Sequence, residues 1–102
     1  MSPAIFQYKS IKIRIYSNEH KPIHVHAESG DFGLIVEFTM REGKVVKVDY
    51  KPWTGHKPFT PALMRDLKKL VDSFKEQMVD DFIDFVDYKK TIHKLIMISK
   101  ID

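Results

Sequence analysis

Three histidines, His20, His24 and His26, fall within the run Tyr16-Ser17-Asn18-Glu19-His20-Lys21-Pro22-Ile23-His24-Val25-His26, and the whole chain has five. Imidazole is the side chain that binds a transition metal, moves a proton or switches charge near neutral pH. The residues alternating with the pair extend the chemistry. If Ile23, Val25 and Ala27 face a core, His24, His26 and Glu28 share the opposite face of one strand, because strand side chains alternate with period two. The same parity sets Lys12, Arg14 and Tyr16 on one face of the preceding strand.

Three chemistries compete for such a face. In the first, His24 and His26 ligate a divalent transition metal, with His20, Glu19, Glu28 or His56 completing the set. Zinc or nickel suits imidazole and carboxylate donors, and the chain has no cysteine to offer sulfur. In the second, His24 or His26 takes and donates protons while Arg14 or Lys12 steadies an oxyanion or phosphate, with Tyr16 and Glu28 assisting. That set describes a metal-independent endoribonuclease, whose nucleophile is the ribose 2′-OH. In the third, the face is a solvated or partner-binding surface, with Asn18 shaping the loop through bonds to the backbone and Pro22 starting the strand.

The elements that must position these residues follow from hydropathy. Apolar and polar residues alternate over 11–16, 23–28, 32–39 and 44–50, which predicts four strands. In the last of these, Val46, Val48 and Tyr50 take the core side. Ser29-Gly30-Asp31 and Arg41-Glu42-Gly43 are tight connections, so consecutive strands are expected to run antiparallel as a meander. Lys51 to Pro58 carries Trp53, Gly55 and His56 between prolines; Trp53 and His56 are candidates for a lid beside the histidine face.

Thr60-Pro61 reads as an N-cap followed by proline at the first helical position. Apolar residues then recur at helical spacing to Tyr88. One helix over 61–88 would run about 42 Å at 1.5 Å per residue, so a break near Gln77 to Val79 is expected, with Asp80 and Asp81 opening a second helix. Asp80, Asp84 and Asp87 form a solvated stripe. An isoleucine-rich segment over 92–99 predicts a fifth strand. The resulting expectation is an α+β domain over 1–102: an antiparallel sheet of four or five strands with C-terminal helices packed on one face.

A length of 102 residues suits one core. Without cysteine there is no disulfide framework and no thiol nucleophile. No apolar run reaches the roughly 18 residues of a membrane span, and the N-terminus lacks a signal-peptide stretch, so a cytoplasmic protein with no membrane role is expected. The +3 charge permits RNA or an acidic partner, but the Lys and Arg residues are dispersed. No phosphate-binding glycine loop, Gly-x-Ser-x-Gly elbow or His-Glu-x-x-His is present.

The run from Tyr16 to His26 resembles the signature of a family of small bacterial proteins of unknown function: an aromatic, Ser-Asn-Glu-His, any residue, Pro-Pro, then His-Val-His. Ile23 stands where the second proline is usual. The resemblance implies a small cytoplasmic protein encoded beside a small partner protein in a toxin–antitoxin-like arrangement. It implies no reaction. It directs attention to Asn18, Glu19, His20, His24 and His26.

Overall fold

In a computed structural model, which describes residues 4–16, 22–91 and 95–101, the chain forms an α+β fold. Its elements are β1 (Ala4–Tyr8), β2 (Ile11–Arg14), β3 (His24–Ser29), β4 (Phe32–Arg41), β5 (Lys44–Pro52), α1 (Pro61–Phe82), a π-helical turn (Ile83–Asp87) and β6 (Ile96–Ile98). The strands make one sheet in the order β5-β4-β3-β2-β1-β6.

The β2 to β5 meander is antiparallel throughout. Its hairpins are short because the chain turns through left-handed backbone: Glu42 and Gly43 have φ of 52° and 78°. Two consecutive positive φ values give a turn whose twist matches that of the flanking strands. Lys9, at φ 55°, serves the β1–β2 turn and reaches Asp66 of α1 with its ammonium, 3.3 Å away.

Two features of the sheet correct the sequence expectation. The sheet has six strands, not four or five, and it is mixed, because β6 pairs with β1 in parallel. The missed strand is β1. Its residues do not alternate cleanly: Ile5 and Phe6 are both fully buried, at a register shift between Ala4 and Phe6. A bulge places adjacent side chains out of strict alternation, which hides a strand from a period-two reading. A second irregularity, between Thr39 and Met40, changes the parity of β5. Val45 pairs with Met40 there, and Val46, expected in the core, is 53% exposed.

Thr60 caps α1 with its hydroxyl, which accepts from Leu63 N at 3.2 Å, and Pro61 follows at the first position. The helix then runs unbroken through Gln77–Val79, contrary to the expected break, and a single helix replaces the expected pair. Its 22 residues span about 33 Å, and the molecule's longest extent is 34 Å. A radius of gyration, 12.7 Å here, understates the length available along the principal axis. The helical register changes only after Phe82, where the π-helical turn takes over.

Leu67, Leu70, Val71, Met78 and Phe82 of α1 are fully buried with Phe6, Ile11, Ile13, Val25 and Val36 of the sheet. Cross-strand partners such as Phe6–Ile13, Ile13–Ala27 and Val25–Val36 put these side chains on one face. The Phe6 and Phe74 rings meet at 5.3 Å. The opposite face is the one that carries the histidines.

Candidate histidine site

Register fixes the neighbours of the histidines. Arg14 lies opposite His26 and Lys12 opposite Glu28 across β2 and β3. On the other side, His26 pairs with Ile35 and His24 with Glu37 of β4. His24, His26, Arg14, Lys12 and Glu28 therefore share one face.

That face is less open at its rim than its polar sequence suggests. His26 is only 6% exposed. The Tyr16 ring meets it edge-on at 4.6 Å, and the Trp53 ring also lies 4.6 Å away. His24 is 5.3 Å from His26, ring to ring, and 5.5 Å from Phe82 at the end of α1. The helix end thus reaches the sheet rim where the pair sits. His24 Nδ1 lies 2.7 Å from the Pro22 carbonyl oxygen. A carbonyl can only accept, so the ring nitrogen donates, and the lone pair of the neutral ring is on Nε2.

Trp53 reaches His26 because the segment after β5 folds back over the sheet. Gly33 N donates to Lys57 O at 2.9 Å and Lys57 N to Asp31 O at 3.0 Å, pinning that segment against the β3–β4 hairpin. His56 stacks on Trp53, 3.7 Å between centroids at 17°. Gly33 makes room for the pair: a Cβ there would meet His56 and Trp53 atoms at 2.6–2.8 Å. The lid residues singled out in the sequence are thus in direct ring contact with each other, and Trp53 with His26. Gly33 and Phe82 were not anticipated. An isolated glycine within a strand is itself a sign of close approach from above, and Gly33 sits inside the alternating Phe32 to Phe38 pattern.

The charged groups around the pair are engaged. Arg14 Nε donates to Glu28 Oε1, and Lys51 Nζ donates to Glu37 at 2.9 Å. The hydrogen bond to Glu37, followed by its charge, raises the Lys51 ammonium above the ordinary lysine range. Glu28, on the same strand as the imidazoles, and Glu37, paired with His24, therefore already have cationic partners. Among the described residues, no three His, Asp or Glu side chains are grouped to hold a metal ion. His20, Asn18 and Glu19 lie outside the described residues. Of the acidic stripe, Asp80 and Asp87 are exposed, and Asp84 meets Lys90 at 3.7 Å.

Fold and site together define a small α+β protein with an imidazole pair at the rim of a mixed sheet, walled by aromatic rings. Residues 10–82 match the domain of unknown function DUF4160, and the chain belongs to that family. No curated protein and no solved structure matches it. No helix among the described residues is long and apolar enough to cross a membrane.

Proposed function

We propose that this protein acts through its histidine pair, as a binding site for a divalent transition metal of the zinc or nickel class, and that it works with a small protein partner in the cytoplasm. The bond from His24 Nδ1 to the Pro22 carbonyl carries the reading. Metal-ligating histidines are oriented in this way, one nitrogen donating to a backbone carbonyl while the other supplies the lone pair. His26, beside it at 5.3 Å, supplies the second imidazole. With Glu28 and Glu37 already ion-paired, the third donor in this reading is His20 or Glu19, with water filling what remains.

Calorimetric titration of zinc and nickel into chelator-treated protein tests this. Binding should be lost in the His24→Ala, His26→Ala double variant and should weaken below about pH 6, where protons compete for imidazole. Unchanged binding by the double variant rules the reading out.

A second reading, a metal-independent endoribonuclease, is favoured by Tyr16 beside His26 and by Arg14 directly across from it. There His24 and His26 exchange protons with the ribose and the leaving group while Arg14, released from Glu28, neutralises the phosphate. Such an enzyme cuts RNA in the presence of chelator and slows by roughly a hundredfold or more in His24→Ala, His26→Ala or Arg14→Ala. A protein that only captures a partner cuts nothing, and its histidine variants lose affinity for the neighbouring gene's product by about 1–2 kcal/mol per contact.

A further inference from the structure

Trp53 and His56 also line a cavity of about 490 Å³, between β5, the segment leading into α1 and the start of that helix. Neither His24 nor His26 lines it. The walls are Leu34, Tyr50, Phe59 and Met64 together with the Trp53–His56 stack. The volume falls in the range of small-molecule sites, which are largely apolar with a few placed polar groups.

The polar groups here all include a donor. No Asp or Glu lines the cavity, and the ammonium of Lys51, the one charged lining residue, is held by Glu37. That leaves the Tyr50 hydroxyl, the His56 imidazole and the Trp53 indole N–H. Burial, reinforced by the negative charge of Asp72, raises the Tyr50 phenol to about 12, so it keeps its proton. His56 Nδ1 is buried and no described residue hydrogen-bonds it. In either tautomer one nitrogen of the imidazole carries a proton and can donate it. Each of the three can therefore donate a hydrogen bond to a ligand.

We propose that this cavity binds a small planar aromatic molecule of one or two rings with an uncharged hydrogen-bond-accepting end, such as an amide carbonyl. The rings lie among Trp53, Phe59 and Tyr50, and the acceptor is taken by the donors of His56 and Tyr50. A cationic end finds no carboxylate in the lining, and the Lys68 ammonium already lies over the Tyr50 ring, 5.7 Å from its centroid. Gly33 sustains the site, because any Cβ there displaces the Trp53–His56 stack that forms one wall.

The chain has a single tryptophan, so the Trp53 indole N–H gives one unambiguous signal in a ¹⁵N correlation spectrum. Titration of the full-length protein with 2-naphthamide should shift that signal and the Gly33 amide saturably, with Kd near or below about 1 mM. The cation 2-naphthylmethylamine, of similar size, should bind about tenfold more weakly or worse. His56→Phe, which keeps a ring on Trp53 but removes both nitrogens, should weaken naphthamide binding by about tenfold, the loss expected from one unmade hydrogen bond. No saturable shift at Trp53, equal binding of the amine, or shifts centred instead on the exposed Val46 or Met97 overturns the proposal. So does undiminished binding by His56→Phe. If that variant does not fold, the comparison of the two ligands on the unaltered protein decides.

Discussion

The two faces of the sheet are held by different physics. Under α1, Phe6, Ile13, Val25 and Val36 are wholly removed from water and packed against Leu67, Leu70 and Met78; that face is stabilised by apolar area and by close packing. Across the same strands, Arg14, Glu28, Glu37 and Lys51 form ion pairs at partly exposed positions. Where Trp53 folds over it the second face excludes water, and there the buried group is His26, enclosed by Tyr16 and Trp53. Burial of an imidazole costs desolvation that burial of a valine does not. The aromatic enclosure therefore surrounds a buried imidazole, and the ion-paired remainder of the face contributes little to stability.

The largest effect expected from this contrast is on the helix-covered face. Phe6→Ala should lower stability by about 3–5 kcal/mol, seen in thermal or denaturant unfolding, through lost transfer energy and the cavity left beside Phe74. Val46→Ala, also apolar but exposed, should stay within about 0.5 kcal/mol. Equal costs at the two positions would dissolve the distinction between the faces.

Gly33→Ala comes next. The added methyl meets the Trp53 and His56 rings at 2.6–2.8 Å, and overpacking of this kind costs about 1–3 kcal/mol. Trp53 fluorescence should move to longer wavelength as the ring is displaced towards water. An unchanged spectrum would mean that the stack is not seated on Gly33.

Arg14→Met should be smaller still, about 0–1 kcal/mol, since both members of the Arg14–Glu28 pair are partly exposed and screened. A loss as large as that of Phe6→Ala would show that the polar face carries structural load after all.

The last effect appears only at high pH. The folded-state pKa of Tyr50 is raised from 10.0 to about 12, first by burial and then by Asp72. Folding therefore favours the protonated phenol. Its contribution is fully present below pH 10 and is lost as pH rises through about 12. Tyrosinate absorbance should show one of the four tyrosines titrating late, and Tyr50→Phe should remove that step.

The four-stranded meander was readable because each strand alternates and each hairpin carries turn residues such as Glu42-Gly43. The capped start of α1 was equally readable, because Thr60-Pro61 acts locally. What was not readable depends on irregularity or on distance. A bulge beside Ile5 and Phe6 concealed β1, and another at Thr39–Met40 turned Val46 outward. The parallel pairing of β6 with β1 joins the two ends of the chain and has no local sequence mark. At the site, strand parity was sufficient to group Arg14, His24, His26 and Glu28. The enclosure of His26 was not foreseeable from parity, because it depends on Trp53 returning over Gly33 from a segment more than twenty residues away.

The proposed metal site requires that His24 present Nε2 as a donor while Nδ1 remains bonded to the Pro22 carbonyl. Long-range ¹⁵N–¹H correlation of the imidazole nitrogens, recorded while zinc is added to metal-free protein, tests it most directly. The His24 Nε2 signal should move saturably, together with one nitrogen of His26, while His24 Nδ1 stays protonated. Movement of His24 Nδ1 in place of Nε2, or imidazole signals indifferent to both zinc and nickel, would contradict it.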